Sequence, residues 1–211
     1  MPSEYFHLAD MTKGSSVTAD DQYRTYVLRN PYRETIPDET FRGLFTDVIA
    51  ERAVDIAHRH GTGEYSRDCM SLVVLDPTAS AVERADDIVL GAGIIGPNGE
   101  DFLPNAIAKA FAHRDHRVDG GALVYTQSHR LRDGSFRFGF SVDVDGTIVG
   151  ASGQTELQDR YQATLLAAAF NYRVAQARAQ WAEISGPGRW FAVKQVASSR
   201  FAEAAASILG S

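Results

Sequence analysis

The apolar positions of this chain follow two rhythms, and the switch between them sets out the elements. From Asp38, the residues Phe41, Leu44, Phe45, Val48, Ile49, Ala53, Ile56 and Ala57 recur at helical spacing until Gly61. That pattern predicts an amphipathic helix over about 38–60 with a glycine stop. Cys69–Leu75 is a short apolar run closed by Asp76-Pro77, and Ile88–Ile95 is a second one closed by Pro97-Asn98-Gly99. Both read as strands buried on two faces. Pro104 suits a first helical turn, and Ala106–Phe111 is helix-compatible. Beyond Gly120-Gly121, a further strand is expected over Ala122–Ser128.

The stretch Ser135–Arg160 carries the most pattern. Phe136, Phe138, Phe140, Val142 and Val144 alternate with Arg137, Gly139, Ser141 and Asp143, the period of a half-buried strand. Asp145-Gly146 tolerates positive φ and predicts a tight hairpin turn. Thr147-Ile148-Val149 forms the return strand, and Thr155-Glu-Leu-Gln158 matches a capping box opening the next helix. That helix is expected from Glu156 to about Glu183, carrying Leu157, Tyr161, Leu165, Ala168, Ala169, Tyr172, Ala175 and Ala179. Ser185-Gly-Pro-Gly188 ends it, and a last helix is expected over roughly Trp190–Leu209. Strands grouped in meanders with helices outside them describe an α+β sandwich on an antiparallel sheet. The expected division is an extended aromatic-rich arm over 1–37, one domain over 38–185 and a helical tail over 186–211.

Composition narrows the partners. A net charge of −6 argues against nucleic acid, whose binding depends on clustered Lys and Arg. Nothing approaches 18 consecutive apolar residues, so no membrane span is expected. The first residues lack a basic segment followed by an apolar one, so a secretory signal is not expected. With one cysteine, Cys69, an internal disulfide is impossible, and a cytoplasmic location is the simplest expectation.

Several motifs have competing readings. Gly91-Ala-Gly93-Ile-Ile-Gly96 satisfies the dinucleotide-binding spacing, yet runs into a Pro-Asn-Gly turn where that fingerprint needs a helix. Relief of a twisted strand, or close approach by another backbone, explains these glycines better. Asp143-Val-Asp145-Gly146 resembles part of a calcium loop, but the position that should hold Glu is Ser152, so the turn reading prevails. His113 and His116, three apart, can share a helix face, and His129 follows later. They are candidates for an axial ligand or general base, or simply a polar helix end favoured by the dipole. Lys109 sits on an otherwise apolar helix, either snorkelling or held in a pocket. No serine-nucleophile elbow occurs.

PNAIAKAFAHR, followed by DGTIVGASGQTELQD, resembles the GlcG/HbpS haem-degrading-like family, also found as the C-terminal part of PduO-type proteins. The matching residues are Ala106, Ala108, Lys109 and Ala110, then Asp145, Gly146, Ser152, Gly153, Thr155, Gln158 and Asp159. The family's Gly-Gly-x-Pro before the hairpin is replaced by Phe138-Gly139-Phe140-Ser141. The resemblance implies a profilin-like α-β-α sandwich with a five-stranded antiparallel sheet, a homo-oligomer, and haem or corrinoid binding in some members. The expected function is therefore binding of a small hydrophobic molecule such as haem, with Lys109, His113, His116 and His129 as cofactor-binding candidates. The alternative is a cofactor-independent lyase or isomerase using His113, Asp115, His116, Tyr125 or Asp143 for acid–base work in a desolvated pocket.

Overall fold

A computed structural model describes residues 15–17, 22–79, 88–117, 128–130 and 139–185. Its helices are α1 (Asp38–Gly61), α2 (Leu103–His116) and α3 (Glu156–Ile184). Its strands are β1 (Ser15–Val17), β2 (Tyr23–Val27), β3 (Met70–Leu75), β4 (Val89–Ile95), β5 (Val142–Val144) and β6 (Thr147–Ser152). They form one sheet in the order β1-β2-β4-β3-β6-β5, antiparallel at every junction. The fold is α+β, and four of the five expected strand positions lie within it. The fifth, 122–128, falls outside the described strands, most of it outside the described residues altogether, as does the tail after 185. The other two strands come from the stretch expected as an extended arm, where the whole of β2 pairs with Gly91–Ile95 of β4.

Helices cover both faces. On one, Phe41, Phe45, Val48 and Ile49 of α1 and Leu166, Ala167 and Phe170 of α3 pack with Leu72, Val74, Val149 and Ala151. The Phe170 ring meets both Phe41 and Phe45 edge-on, with centroids 6.0 and 6.1 Å away. On the other face, Leu103, Ala106 and Ala110 of α2 pack with Val73, Ala92 and Ile94. With both faces covered, β3 and β4 are buried at every position, which explains their continuous apolar runs.

The glycine-rich run on β4 serves this packing. A Cβ on Gly93 would sit 2.5 Å from the Ile49 side chain, and one on Gly150 of β6 would sit 2.1 Å from the Ala106 carbonyl oxygen. Glycine at these positions lets α1 and α2 approach the sheet closely. The expected hairpin turn is also present, with φ of 51° at Asp145 and 85° at Gly146.

Two expectations change. The alternating strand over Ser135–Val144 is a strand only from Val142, because Phe140 takes a left-handed φ of 72° and breaks the extended run; residues 131–138 lie outside the described set. On α3, the apolar stripe through Leu157, Tyr161 and Tyr172 faces outward, and the buried face is Asp159, Gln162, Ala163, Leu166, Ala167, Phe170 and Val174. Two polar residues on that buried face hid it from a hydrophobicity pattern.

Candidate functional site

β5 pairs with β6 only from Val142–Val149 to Val144–Thr147. Continuing that register would set Phe140 beside Ala151, but the left-handed backbone at Phe140 ends the ladder first. A positive φ on an aromatic residue costs on the order of 1–2 kcal/mol and persists where surrounding structure imposes it. Candidate chemistry gathers at the place where the ladder stops.

Lys109 of α2 is 4% exposed; its Nζ donates to the Ala151 carbonyl at 2.9 Å and to Asp159 Oδ2 at 2.7 Å. Asp159, 2% exposed in the first turn of α3, also accepts the Gln154 amide on Oδ1 at 2.9 Å. Burial pushes the Asp159 carboxyl above its ordinary range, against the pull of Lys109 and the Gln154 N–H. The ammonium does not snorkel: it joins α2, the end of β6 and the start of α3. Thr155 begins that helix as expected, its N–H donating to Gln158 Oε1 at 3.2 Å.

One turn along α2, His113 is 8% exposed, and its Nδ1 lies 2.8 Å from Ser141 Oγ. The four-residue spacing puts Lys109 and His113 on the same helix face, both turned toward the sheet. Ser141, 1% exposed, stands between Phe140 and the first residue of β5. A histidine held through Nδ1 has its ring plane and orientation fixed, as ligating and acid–base histidines require. The Phe140 ring is half-buried, with the Arg160 guanidinium carbon 5.9 Å from its centroid.

The other candidates are spread out. Asp115 is exposed and His116 half-buried on the last turn of α2. Asp143 is exposed, its Oδ1 accepting the Gly146 amide at 2.8 Å, which makes it a turn residue. His129 is exposed in a short 3-10 turn, and Tyr125 lies outside the described residues. The structure therefore joins Lys109 to Asp159 and His113 to Ser141. Asp159 was visible beforehand only as a motif residue. Among the described residues, no three His, Cys, Asp or Glu side chains could hold a metal together, and no helix is long and apolar enough to cross a membrane. A cleft of about 80 Å³ lies elsewhere, between Val27–Asn30 and Asp38–Arg42, and is smaller than the usual small-molecule pocket.

No protein-family profile and no curated protein matches the chain. Among solved structures, Klebsiella pneumoniae protein ORFY, of family DUF336, is similar with a TM-score of 0.38 and 15% identity, over 58% of this chain and 88% of that one. A PduOC:heme complex is similar with a TM-score of 0.36 and 17% identity, over 59% of this chain and 91% of that one. Each likeness covers roughly three-fifths of this chain, and no activity is carried across by it.

Proposed function

We propose that this protein binds a small, largely apolar molecule at the edge of the sheet where β5 begins, with His113 as the residue that meets the ligand's reactive or metal-bearing part. The observation that carries this reading is the buried His113–Ser141 hydrogen bond beside a phenylalanine in a left-handed conformation. A planar group such as haem would be held by His113, Ser141 setting the imidazole orientation through Nδ1. Phe140 would supply an apolar wall, and His116 at the rim a second polar contact. In this arrangement Lys109 and Asp159 brace the site from behind.

The test is a hemin titration of the purified chain with His113→Ala, Ser141→Ala and Lys109→Met beside it. A saturable Soret shift that is lost in His113→Ala and weakened in Ser141→Ala supports the proposal. A shift of equal size in His113→Ala refutes the ligand assignment, and no shift in any variant removes haem. In that last case the same hydrogen-bonded pair supports an acid–base role on a cofactor-free substrate. Turnover would then be bell-shaped in pH and abolished in His113→Ala.

A further inference from the structure

The first two turns of α3 carry the candidate site on one side and a second polar cluster on another. At about 100° per residue, Asp159 and Arg160 span one arc of the helix, and Gln158, Tyr161 and Gln162 span a different one. The first arc meets the site: Asp159 accepts from Lys109, and the Arg160 guanidinium lies over the Phe140 ring. The second arc meets the end of α1 and the turn that follows it. Arg59, in the last turn of α1, is the hub of that contact.

Arg59 donates from Nε to Asp55 Oδ2 at 2.9 Å, from Nη1 to Glu64 Oε1 at 2.5 Å and from Nη2 to the Tyr161 hydroxyl at 2.8 Å. Its guanidinium carbon also stands 4.6 Å from the Tyr161 ring centroid and 5.6 Å from that of Tyr65. One rigid, planar cation thus joins α1, the turn after it and α3. Gln162, fully buried, completes the junction: its Nε2 donates to the same Asp55 oxygen at 2.7 Å and to the Tyr65 hydroxyl at 2.9 Å. Apolar packing tolerates some roll of a helix about its axis, and hydrogen bonds of fixed length do not. Side-chain tips stand about 5–6 Å from a helix axis, so a roll of about 20° carries the Asp159 carboxylate about 2 Å. That is enough to break its 2.7 Å contact with Lys109.

We infer that Arg59 is a positioning residue for the candidate site. By binding Tyr161, and by sharing Asp55 with Gln162, it fixes the roll of α3 at which Asp159 meets Lys109 and Arg160 meets Phe140. The inference deepens the ligand proposal and rests on it for the ligand's part. Its effect on the Lys109–Asp159 contact needs no ligand.

The test uses the full-length chain with Arg59→Met, Tyr161→Phe and, as control, Arg173→Met. Arg173 also ties α3 to α1, through Asp47 and Glu51, but far along the helix from the site. The readout is the nitrogen–proton NMR signal of the Lys109 ammonium, which burial and two hydrogen bonds protect from exchange. Its loss in Lys109→Met assigns it among the three lysines. Compared at equal distance from their urea midpoints, Arg59→Met should speed exchange of that ammonium about tenfold, Tyr161→Phe by less, and Arg173→Met by under about twofold. The hemin Kd should rise about tenfold in Arg59→Met and hold in Arg173→Met. Equal effects of Arg59→Met and Arg173→Met overturn the inference, as does hemin held equally tightly by the wild type and Arg59→Met. Should Arg59→Met fail to fold, Tyr161→Phe decides, and an unmoved Lys109 signal there overturns the inference. A wild-type chain that takes up no hemin refutes the haem reading, and the Lys109 signal still decides the role of Arg59.

Discussion

Removing one end of the Lys109–Asp159 pair should cost far more than the pair itself contributes. At 2.7 Å and an effective dielectric of about 20, the Coulomb attraction is about 6 kcal/mol. Desolvating two ions at 4% and 2% exposure cancels several kcal/mol for each, so the pair's net contribution is near zero. Lys109→Met leaves a buried carboxylate and an unpaired Ala151 carbonyl, and should cost about 3–5 kcal/mol. Asp159→Leu leaves the ammonium and the Gln154 amide unpaired, with a cost of the same order. Lys109→Met/Asp159→Leu retains only the two orphaned backbone groups, at about 1–3 kcal/mol each. The double variant should therefore fall at least about 2 kcal/mol short of the sum of the singles.

The pH dependence sharpens this test. The Asp159 carboxyl is already pushed up in the native protein, chiefly by burial, and loses its largest opposing charge in Lys109→Met. A carboxyl whose folded pKa is raised contributes stability below its unfolded value near 3.8, and loses it as pH rises through the folded value. The Lys109→Met deficit should therefore grow from acid to neutral pH and then level off. Urea midpoints of the four proteins across pH 4–9 measure the coupling and this slope. Additive single costs, or a Lys109→Met deficit that does not change with pH, would refute the buried-pair account.

Four further outcomes follow from particular positions. Gly150→Ala drives a methyl to 2.1 Å from the Ala106 carbonyl and should lower stability by about 1–3 kcal/mol or more, read as a drop in urea midpoint. Phe140→Gly should be about 1 kcal/mol more stable than Phe140→Ala, because only glycine relieves the left-handed φ; equal melting temperatures would contradict the strain. Burial alone would raise Asp55, but hydrogen bonds from Gln162 and Arg59 and the charges of Arg59 and Arg52 hold its carboxyl below the ordinary range. Its stabilisation is present above the unfolded value near 3.8 and lost as pH falls through the lower folded value, so Asp55→Asn should flatten the acid limb of the stability curve. The Cys69 thiol, pushed up by burial and by the charges of Asp68 and Asp101, should resist thiol reagents at neutral pH until urea unfolds the chain.

The elements legible in the sequence were those whose pattern and environment agree. The Phe41–Ile56 stripe has one buried face, β3 and β4 are apolar because both faces are covered, and Asp145-Gly146 supplies the two positive φ angles the turn needs. Where pattern and environment part, the reading went astray. The period of Phe136–Val144 runs on as a strand through Phe140, because alternation records side-chain chemistry and carries no sign of φ. On α3 the more regular apolar stripe is the exposed one, since Asp159 and Gln162 occupy the buried face as hydrogen-bonding partners. The strand β2 lay in a stretch with little periodicity, and pairing with β4 is a long-range matter that no local window reports.

The site was half legible for the same reason. His113 stood out by residue type, but Ser141 was one polar residue among several on an expected strand face. The break at Phe140 is what gives Ser141 its separate role. Had the strand run on, Ser141 and Asp143 would project alike from one edge strand, and Ala151 would lie beside β5. Because the ladder stops at Val142, Ser141 is buried against His113 while Asp143 remains exposed in the turn. Ala151, beyond the end of the ladder, gives its carbonyl to Lys109. One backbone angle thus accounts for which of two similar polar residues meets the histidine. The same angle explains why a lysine can be buried at the sheet's edge: the missing ladder leaves a carbonyl to accept a hydrogen bond from its ammonium beside the carboxylate that balances its charge.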